Sequence, residues 1–595
     1  MSSEAAPQMD LKRQLWLVLA IWIFVSGWMI LEALPAIHEW TFPDPDDAMR
    51  LVQVRDWLAG QSWFDVTQYR LNPPAGGPMH WSRLVDLPIA AVILLGRPFL
   101  GQHGAETAAL IAVPLLTLGI AMLLVHRIAL RLMGSPSALL AVLATPASLG
   151  AMKQMRILRI DHHGWQIVLA LAALLAVLDT RPRRSGIVAG AAMALWVNIS
   201  IEALPFVAAV GAWFAFEWLA NGVAGERLRT FLASLALGSA ALFMLTHFPS
   251  VWLSHPHDVL NIAHLAGFSV AALCCWFAIR PTIGDLRLRL AVLCGVGIVA
   301  VAAMFAVDPH FLDGPFSFLD PLVRTLWYDG VDEGQPIWRL AGGDAAAGLA
   351  QPLVGLAGGL FAIWKCRAEQ RAGWIAFTYI MAAMTLASVF VIREATTASV
   401  LSLPGTAFLC DYALRRARTV SLMPARVLAT TGAVFIMAPA YAAPALVMPA
   451  DPRLIKAMHS SDSCVTRTQL EKLNQLPASN LAVPLDITPS ILASTHHRAI
   501  ASGYHRNDGG IHDVILTFAG ALPVARQIMA KRQIDYVVFC PNAPESIRWA
   551  IHGPGGLASM LNGGRAPDWL APVRIPGLKT LQVWQVRKDP VGVAA

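Results

Sequence analysis

The chain has 595 residues, 56% of them apolar and only 14% charged, with a formal net charge of +7. Mean hydropathy is +0.55, and a soluble protein carries roughly 25% charge. These values exclude a soluble globular enzyme, a disordered chain and a disulfide-rich secreted scaffold. The apolar runs are continuous, which excludes a β-barrel and leaves a polytopic helical membrane protein.

A spanning helix needs about 20 mostly apolar residues. Leu15–Leu34 is the first such run. Lys12 and Arg13 precede it and predict a cytoplasmic N-terminus. No cleavage site follows, so the run reads as a retained anchor. Leu87–Leu95 is too short to span and reads as interfacial or re-entrant. Further spans are predicted at 106–126, 136–153, 164–179, 185–199, 201–220, 230–247, 261–279, 290–307, 346–365, 373–392, 397–413 and 427–447. That makes about 13 spans.

Charge tests this topology. Loops predicted to be cytoplasmic hold Arg127–Arg131, Arg181–Arg184, Arg227–Arg229, Arg287–Arg289, Lys365–Arg371 and Arg415–Arg418. They are basic, as the positive-inside rule requires, so topology explains the positive charge without a nucleic-acid partner. Lys153, Arg156 and Arg159 fall on the opposite side and call for another explanation. Three segments on that side are long: 37–85, 308–344 and the more polar tail 449–595. Short apolar runs alternate with helical patterns in the tail, which predicts an exterior α/β domain beside a membrane domain over 1–448. Cys464 and Cys540 stand alone in the tail, and an exterior compartment predicts that they pair.

Several polar groups share the predicted exterior face. Segment 37–85 holds Asp44-Pro-Asp46-Asp47, three carboxylates that suit either a helix N-terminus or a bound cation. Arg159-Ile-Asp161-His162-His163-Gly164 places an acid and an imidazole at the i, i+2 spacing of a divalent-metal pair. A capping Asp with interfacial histidines is the alternative. Val331-Asp332-Glu333-Gly334-Gln335-Pro336 reads as a mobile binding loop or an ordinary polar one. Arg393 suits a phosphate, or else snorkels. With Arg83, the misplaced bases form a cationic rim that fits an anionic lipid headgroup. Met79-His80-Trp81-Ser82-Arg83 is a polar-aromatic cluster that either contacts donor sugar or anchors the loop.

These motifs resemble those of the oligosaccharyltransferase catalytic subunit and its single-chain bacterial and archaeal relatives, within the GT-C glycosyltransferases. The stretch from Asp46 to Arg55-Asp56, Gly60 and Trp63-Phe64-Asp65 is similar to the family's first acidic motif. Asp161-His162-His163-Gly164 looks like the second, Val331–Pro336 like the Glu-bearing loop, and Arg393 like the phosphate-contacting Arg. The resemblance implies a GT-C fold and a polyprenyl-phosphate or pyrophosphate donor. It also implies Mg2+ or Mn2+ on Asp46, Asp161 and His163, with Asp44 and Asp47 open as alternatives to Asp46. Asp46 and Glu333 take catalytic roles; Arg393, with Arg159, holds donor phosphate. Combined with the topology, it implies a bacterial inner membrane with a periplasmic site.

One departure concerns the acceptor. The family's Trp-Trp-Asp-Tyr-Gly signature is absent; the nearest segment is Pro484-Leu-Asp486-Ile-Thr488-Pro489. Asp486 stands in the corresponding place without either tryptophan, so lipid, glycan and protein acceptors all stay open. A single-sugar transferase acting on lipid A or polysaccharide is the neighbouring alternative, and a transporter the distant one. Transporters place ionisable groups mid-membrane in broken helices, whereas these acids cluster at span ends.

Overall fold

A computed structural model describes residues 10–135, 137–222, 225–280, 283–439, 441 and 464–588. The expected domain boundary at 448/449 and the end of the 427–447 run lie outside them. Seven of the described helices are long and apolar enough to cross a membrane, among them Leu11–Glu32, Gly225–Thr246, Leu286–Val307 and Ala368–Phe390. Three shorter apolar segments, Ala138–Ala147, His163–Val177 and Ile262–Ala278, accompany them. This is a multi-pass helical membrane protein.

Two expected spans are not single helices. Over 136–153 the chain forms Ala138–Leu143, a 3-10 turn at Thr145–Ala147, and Leu149–Gln154. Pro146 lacks an amide hydrogen and cannot continue the ladder. Over 397–413 the helix Glu394–Leu401 ends before Leu403–Ala417 begins, with Pro404 near the new N-terminus. Leu87–Leu95 lies in the first of two helices within Asp86–Met133 that meet at Gly101, whose φ of 67° is closed to most side chains. Helices Gly342–Lys365 and Leu403–Ala417 touch backbone to backbone: a Cβ on Gly358 would stand 2.1 Å from Gly405 O. Small residues permit such contact where no water drives helices together.

Residues 464–588 form a five-stranded mixed sheet with flanking helices. The strands are β1 (Asn480–Ala482), β2 (Arg498–Ala499), β3 (Tyr536–Phe539), β4 (Leu570–Pro572) and β5 (Gln582–Val586), in the order β2-β1-β3-β5-β4. Cys464 and Cys540 are joined in a disulfide, as expected from the sequence. Edge strand β2 is covered by segment 37–85: Leu71 pairs with Ala499, and Asn72 N donates to Ala499 O at 2.9 Å. Arg70 reaches Thr495 O at 2.8 Å and Arg532 reaches Asn72 Oδ1 at 2.6 Å. The sheet domain is therefore locked onto the membrane region by backbone and side-chain bonds.

Segment 37–85 is itself held by a buried ion network. Asp86 Oδ1 accepts from Arg50 at 3.2 Å; its Oδ2 accepts from Gln53 at 2.7 Å and Arg83 at 3.2 Å. Arg50 lies over Trp81, 4.3 Å from the ring centroid. Arg83 also donates to Gln53 O, Trp63 O, Gln61 Oε1 and Asp65 O. Removing one member strands buried charge on the others. Asp86→Ala is expected to lower stability by about 3–5 kcal/mol, read as an earlier melting transition in detergent than that of an exposed-site control such as Glu369→Ala.

Candidate active site

Helix Pro45–Leu58 begins with Asp44 at its N-cap, accepting from Asp46 N at 3.0 Å, and with Pro45 at a position that needs no amide hydrogen. That start turns Asp46 toward a large cavity and Asp47 into the protein. Asp47 is fully buried. Its Oδ1 accepts from Ile160 N at 2.8 Å and Asp161 N at 3.0 Å, so it ties this helix to the second motif.

Arg159 is the hub between the motifs. It contacts Asp44 Oδ2 and Asp47 Oδ2 at 3.1 Å each and Asp161 Oδ2 at 2.9 Å, while its Nε donates to Gln154 at 3.1 Å. Asp161 caps the helix His163–Val177, accepting from His163 N at 3.0 Å. Burial raises the Asp161 carboxyl, but Arg159, the two neighbouring histidines and the His163 amide together outweigh it and hold the group well below the usual range. Burial, then Asp44, Asp161 and Glu333, push Asp46 well above that range against the pull of Arg159.

The protonation of His163 follows from its neighbours. Gln166 Nε2 donates to Glu202 Oε2 at 2.8 Å, because an ionised carboxylate only accepts. Gln166 Oε1 therefore faces His163 Nδ1, 3.1 Å away, and Nδ1 carries the proton. His163 Nε2 faces Asp161 Oδ2 at 3.6 Å. That oxygen is buried and lies 2.9 Å from the Arg159 guanidinium. The donor set of Asp161, His163 and His162, whose ligand atoms lie within 4.8 Å of one another, fits a divalent cation. Asp46 lines the same cavity. His162 stacks at 4.3 Å on His163; burial and that neighbour push it down to about 3, so its ring is neutral.

Arg393 ends the polar chain. Its guanidinium is gripped by Glu202 and Glu333, and its backbone N donates to Glu333 O at 3.0 Å. Ile392 N donates to Gln335 O at 3.1 Å, so loop 331–336 is zipped along the residues before helix Glu394–Leu401. Burial raises Glu333, but Arg393 with His163, Lys153 and Arg159 together outweighs it and keeps the carboxyl low.

The structure gathers Asp44, Asp46, Asp47, Arg159, Asp161, His162, His163, Glu333 and Arg393 into one cluster. Arg83 borders the cavity but is spent on the buried network described above. His80 lies elsewhere on the wall, against His505 with ring centroids 4.5 Å apart. Asp486 faces the cavity from the sheet domain, its backbone N donating to Glu545 at 3.1 Å. Sequence reading missed Gln166, Glu202, Asp258 and Tyr504. Glu202 left one signal, an acid at the very edge of an apolar run. Tyr504 approaches from the sheet domain, edge-on to Trp81 at 5.1 Å; burial, then the charges of Asp46 and Asp44, push its hydroxyl well above the phenol range. The cavity encloses about 1660 Å³, and its far wall is apolar, with Phe243, Phe248, Ala383, Leu386 and Phe390.

The Gln166–Glu202 pair orients His163, so its loss acts through the ring. Glu202→Ala is expected to weaken Mn2+ binding by roughly 10–100-fold, measured by calorimetry, with Glu202→Gln in between because an amide can still accept from Gln166.

No protein-family model matches the chain, and no curated protein matches it. Solved structures do. Archaeal oligosaccharyltransferase AglB from Archaeoglobus fulgidus, solved with an inhibitory peptide and a dolichol-phosphate, superposes at a TM-score of 0.64 and 15% identity, over 98% of this chain and 76% of that one. The same enzyme tethered to an acceptor peptide gives 0.62 at 15% identity, over 97% and 75%. Its complex with Zn and sulfate gives 0.58 at 15% identity, over 93% and 71%. At this identity the likeness is one of fold: membrane helices and sheet domain together share the architecture of these structures.

Proposed function

We propose that the chain is an oligosaccharyltransferase-like glycosyltransferase that moves a sugar or glycan from a polyprenyl-phosphate or pyrophosphate carrier to an acceptor. The observation that carries this reading is the convergence of Asp161 Oδ2 and His163 Nε2, 3.6 Å apart, at a cavity that His163, Asp46, Glu333 and Arg393 line together with an apolar wall. The fold shared with AglB, solved with a dolichol-phosphate in one complex and with Zn and sulfate in another, supports it. Asp46, Asp161 and His163 would hold Mg2+ or Mn2+, which would supply Lewis-acid neutralisation of the departing phosphate.

The remaining work falls to this chain's own groups. The polyprenyl tail lies along the apolar wall near Phe243 and Leu386. Arg393 receives the carrier phosphate in place of Glu333, exchanging one carboxylate for another anion at a preformed fork. Glu333, so released, turns with Asp46 to the acceptor nucleophile, orienting it and taking its proton. Arg159 stays with Asp44, Asp47 and Asp161 and keeps the carboxylates together; we assign it that task ahead of phosphate binding. Asp486 and Tyr504 line the acceptor side of the cavity. No tryptophan pair stands at Asp486, so the acceptor is a glycan, lipid or peptide selected by other contacts. Basic loops on the opposite side of the spans support a site facing the periplasm of a bacterial inner membrane.

Calorimetry in detergent tests the reading: wild type is expected to bind Mn2+ and Asp161→Ala to lose that binding. Turnover of a polyprenyl-pyrophosphate glycan is expected to stop on chelation with EDTA. Arg393→Ala is expected to cut turnover by about 10²–10³-fold while leaving Mn2+ affinity within a few-fold. Unchanged turnover in EDTA sinks the metal-dependent mechanism.

A further inference from the structure

A second cluster of cation-ligating groups lies on the wall of the cavity, outside the carboxylate cluster. It consists of His80 from segment 37–85, Asp258 from the connection before helix Ile262–Ala278, and His505 from the sheet domain. Each offers a ligand atom, and the three atoms lie within 4.8 Å of one another. His505 Nε2 is 2.6 Å from Asp258 Oδ2. His80 Nδ1 is shielded from solvent and has no hydrogen-bond partner. An ion pair between His505 and Asp258 accounts for those two residues and leaves His80 unexplained.

We propose that His80, Asp258 and His505 form a zinc-type divalent cation site that clamps the sheet domain to segment 37–85. Two imidazoles and one carboxylate are a common three-ligand set for Zn2+, with one position left for water or a ligand. The surroundings have the second layer such sites use. Arg506 donates to Asp258 at 2.7 and 2.9 Å and to Met79 O at 3.1 Å, fixing the carboxylate and the backbone beside His80 together. Phe316 stands edge-on to His505 at 5.1 Å and covers one side. The three ligands come from three separate segments, so an ion there staples them. It also fixes the turn that carries Tyr504, the residue preceding His505, beside Asp46. The site therefore sets the geometry of the acceptor wall without entering the transfer chemistry.

The experiment counts ions. Full-length protein in detergent is loaded with Zn2+, dialysed and analysed for bound metal, and the melting temperature is recorded with and without Zn2+. Wild type is expected to hold two ions per chain. His80→Gln and His505→Gln are expected to hold one each and to lose most of the Zn2+-dependent rise in melting temperature. Asp161→Ala is expected to hold one ion and keep that rise. Should a histidine variant fail to elute as a single species, Asp258→Asn, which preserves shape and can still accept from Arg506, is read in its place. Wild-type stoichiometry in these variants, with an undiminished melting rise, overturns the proposal. One ion in wild type, lost in His80→Gln but retained in Asp161→Ala, upholds this site while removing the catalytic one.

Discussion

The structure of the site depends on where Arg159 puts its charge. One guanidinium faces Asp44, Asp47 and Asp161, with Asp46 close by, in a region largely closed to water. Without it the turn before helix Pro45–Leu58 and the turn before helix His163–Val177 would repel each other. With it they become one unit, stitched further by the backbone amides of Ile160 and Asp161 on Asp47. Negative charge still exceeds positive. A cluster of that kind is stable only when a further cation is shared or a proton is taken up, and Asp46, pushed above the carboxylate range, registers the strain.

Arg393 performs the matching task at the other end of the chain of contacts. It binds Glu202 and Glu333, and Glu202 in turn orients Gln166 and thereby His163. The phosphate-competent arginine and the cation-competent histidine are thus joined through a single carboxylate. In the proposed exchange Arg393 gives up Glu333 and keeps Glu202, so the bond from Gln166 to Glu202 and the orientation of His163 persist.

Much of this was legible in the sequence where the signal is local. Continuous apolar runs mark spans, Asp161-His162-His163 sets an acid beside two imidazoles, and the basic residues 153–159 stand out because they break the charge asymmetry of the loops. The disulfide follows from compartment and count. What was hidden depends on distant partners. Glu202 looks like the first residue of an apolar run; its meaning comes from Gln166, 36 positions back, and Arg393, 191 positions on. Asp258 sits in a short connection, and its partners His80 and His505 come from either end of the chain. The breaks within 136–153 and 397–413 were signalled by Pro146 and Pro404, but hydropathy averages over a window and blurs a single proline.

The join between sheet domain and membrane region gives the cavity its fourth wall. An edge strand such as β2 exposes unpaired backbone groups, and Leu71 and Asn72 of segment 37–85 take them up. Arg55 adds a bond to Ala493 O, and Glu39 accepts from Thr468 N and its hydroxyl. These backbone and side-chain contacts join the sheet domain to segment 37–85 at several separate points. Asp486 and Tyr504 sit opposite the carboxylate cluster, and their side chains bound the space left for an acceptor. With no tryptophan pair at Asp486, that space is shaped by an exposed carboxylate, a buried phenol and the histidines beside it. Such a wall recognises hydroxyl-bearing partners through hydrogen bonds more readily than it packs against an apolar side chain, because its polar groups lose their partners when an apolar one fills the space.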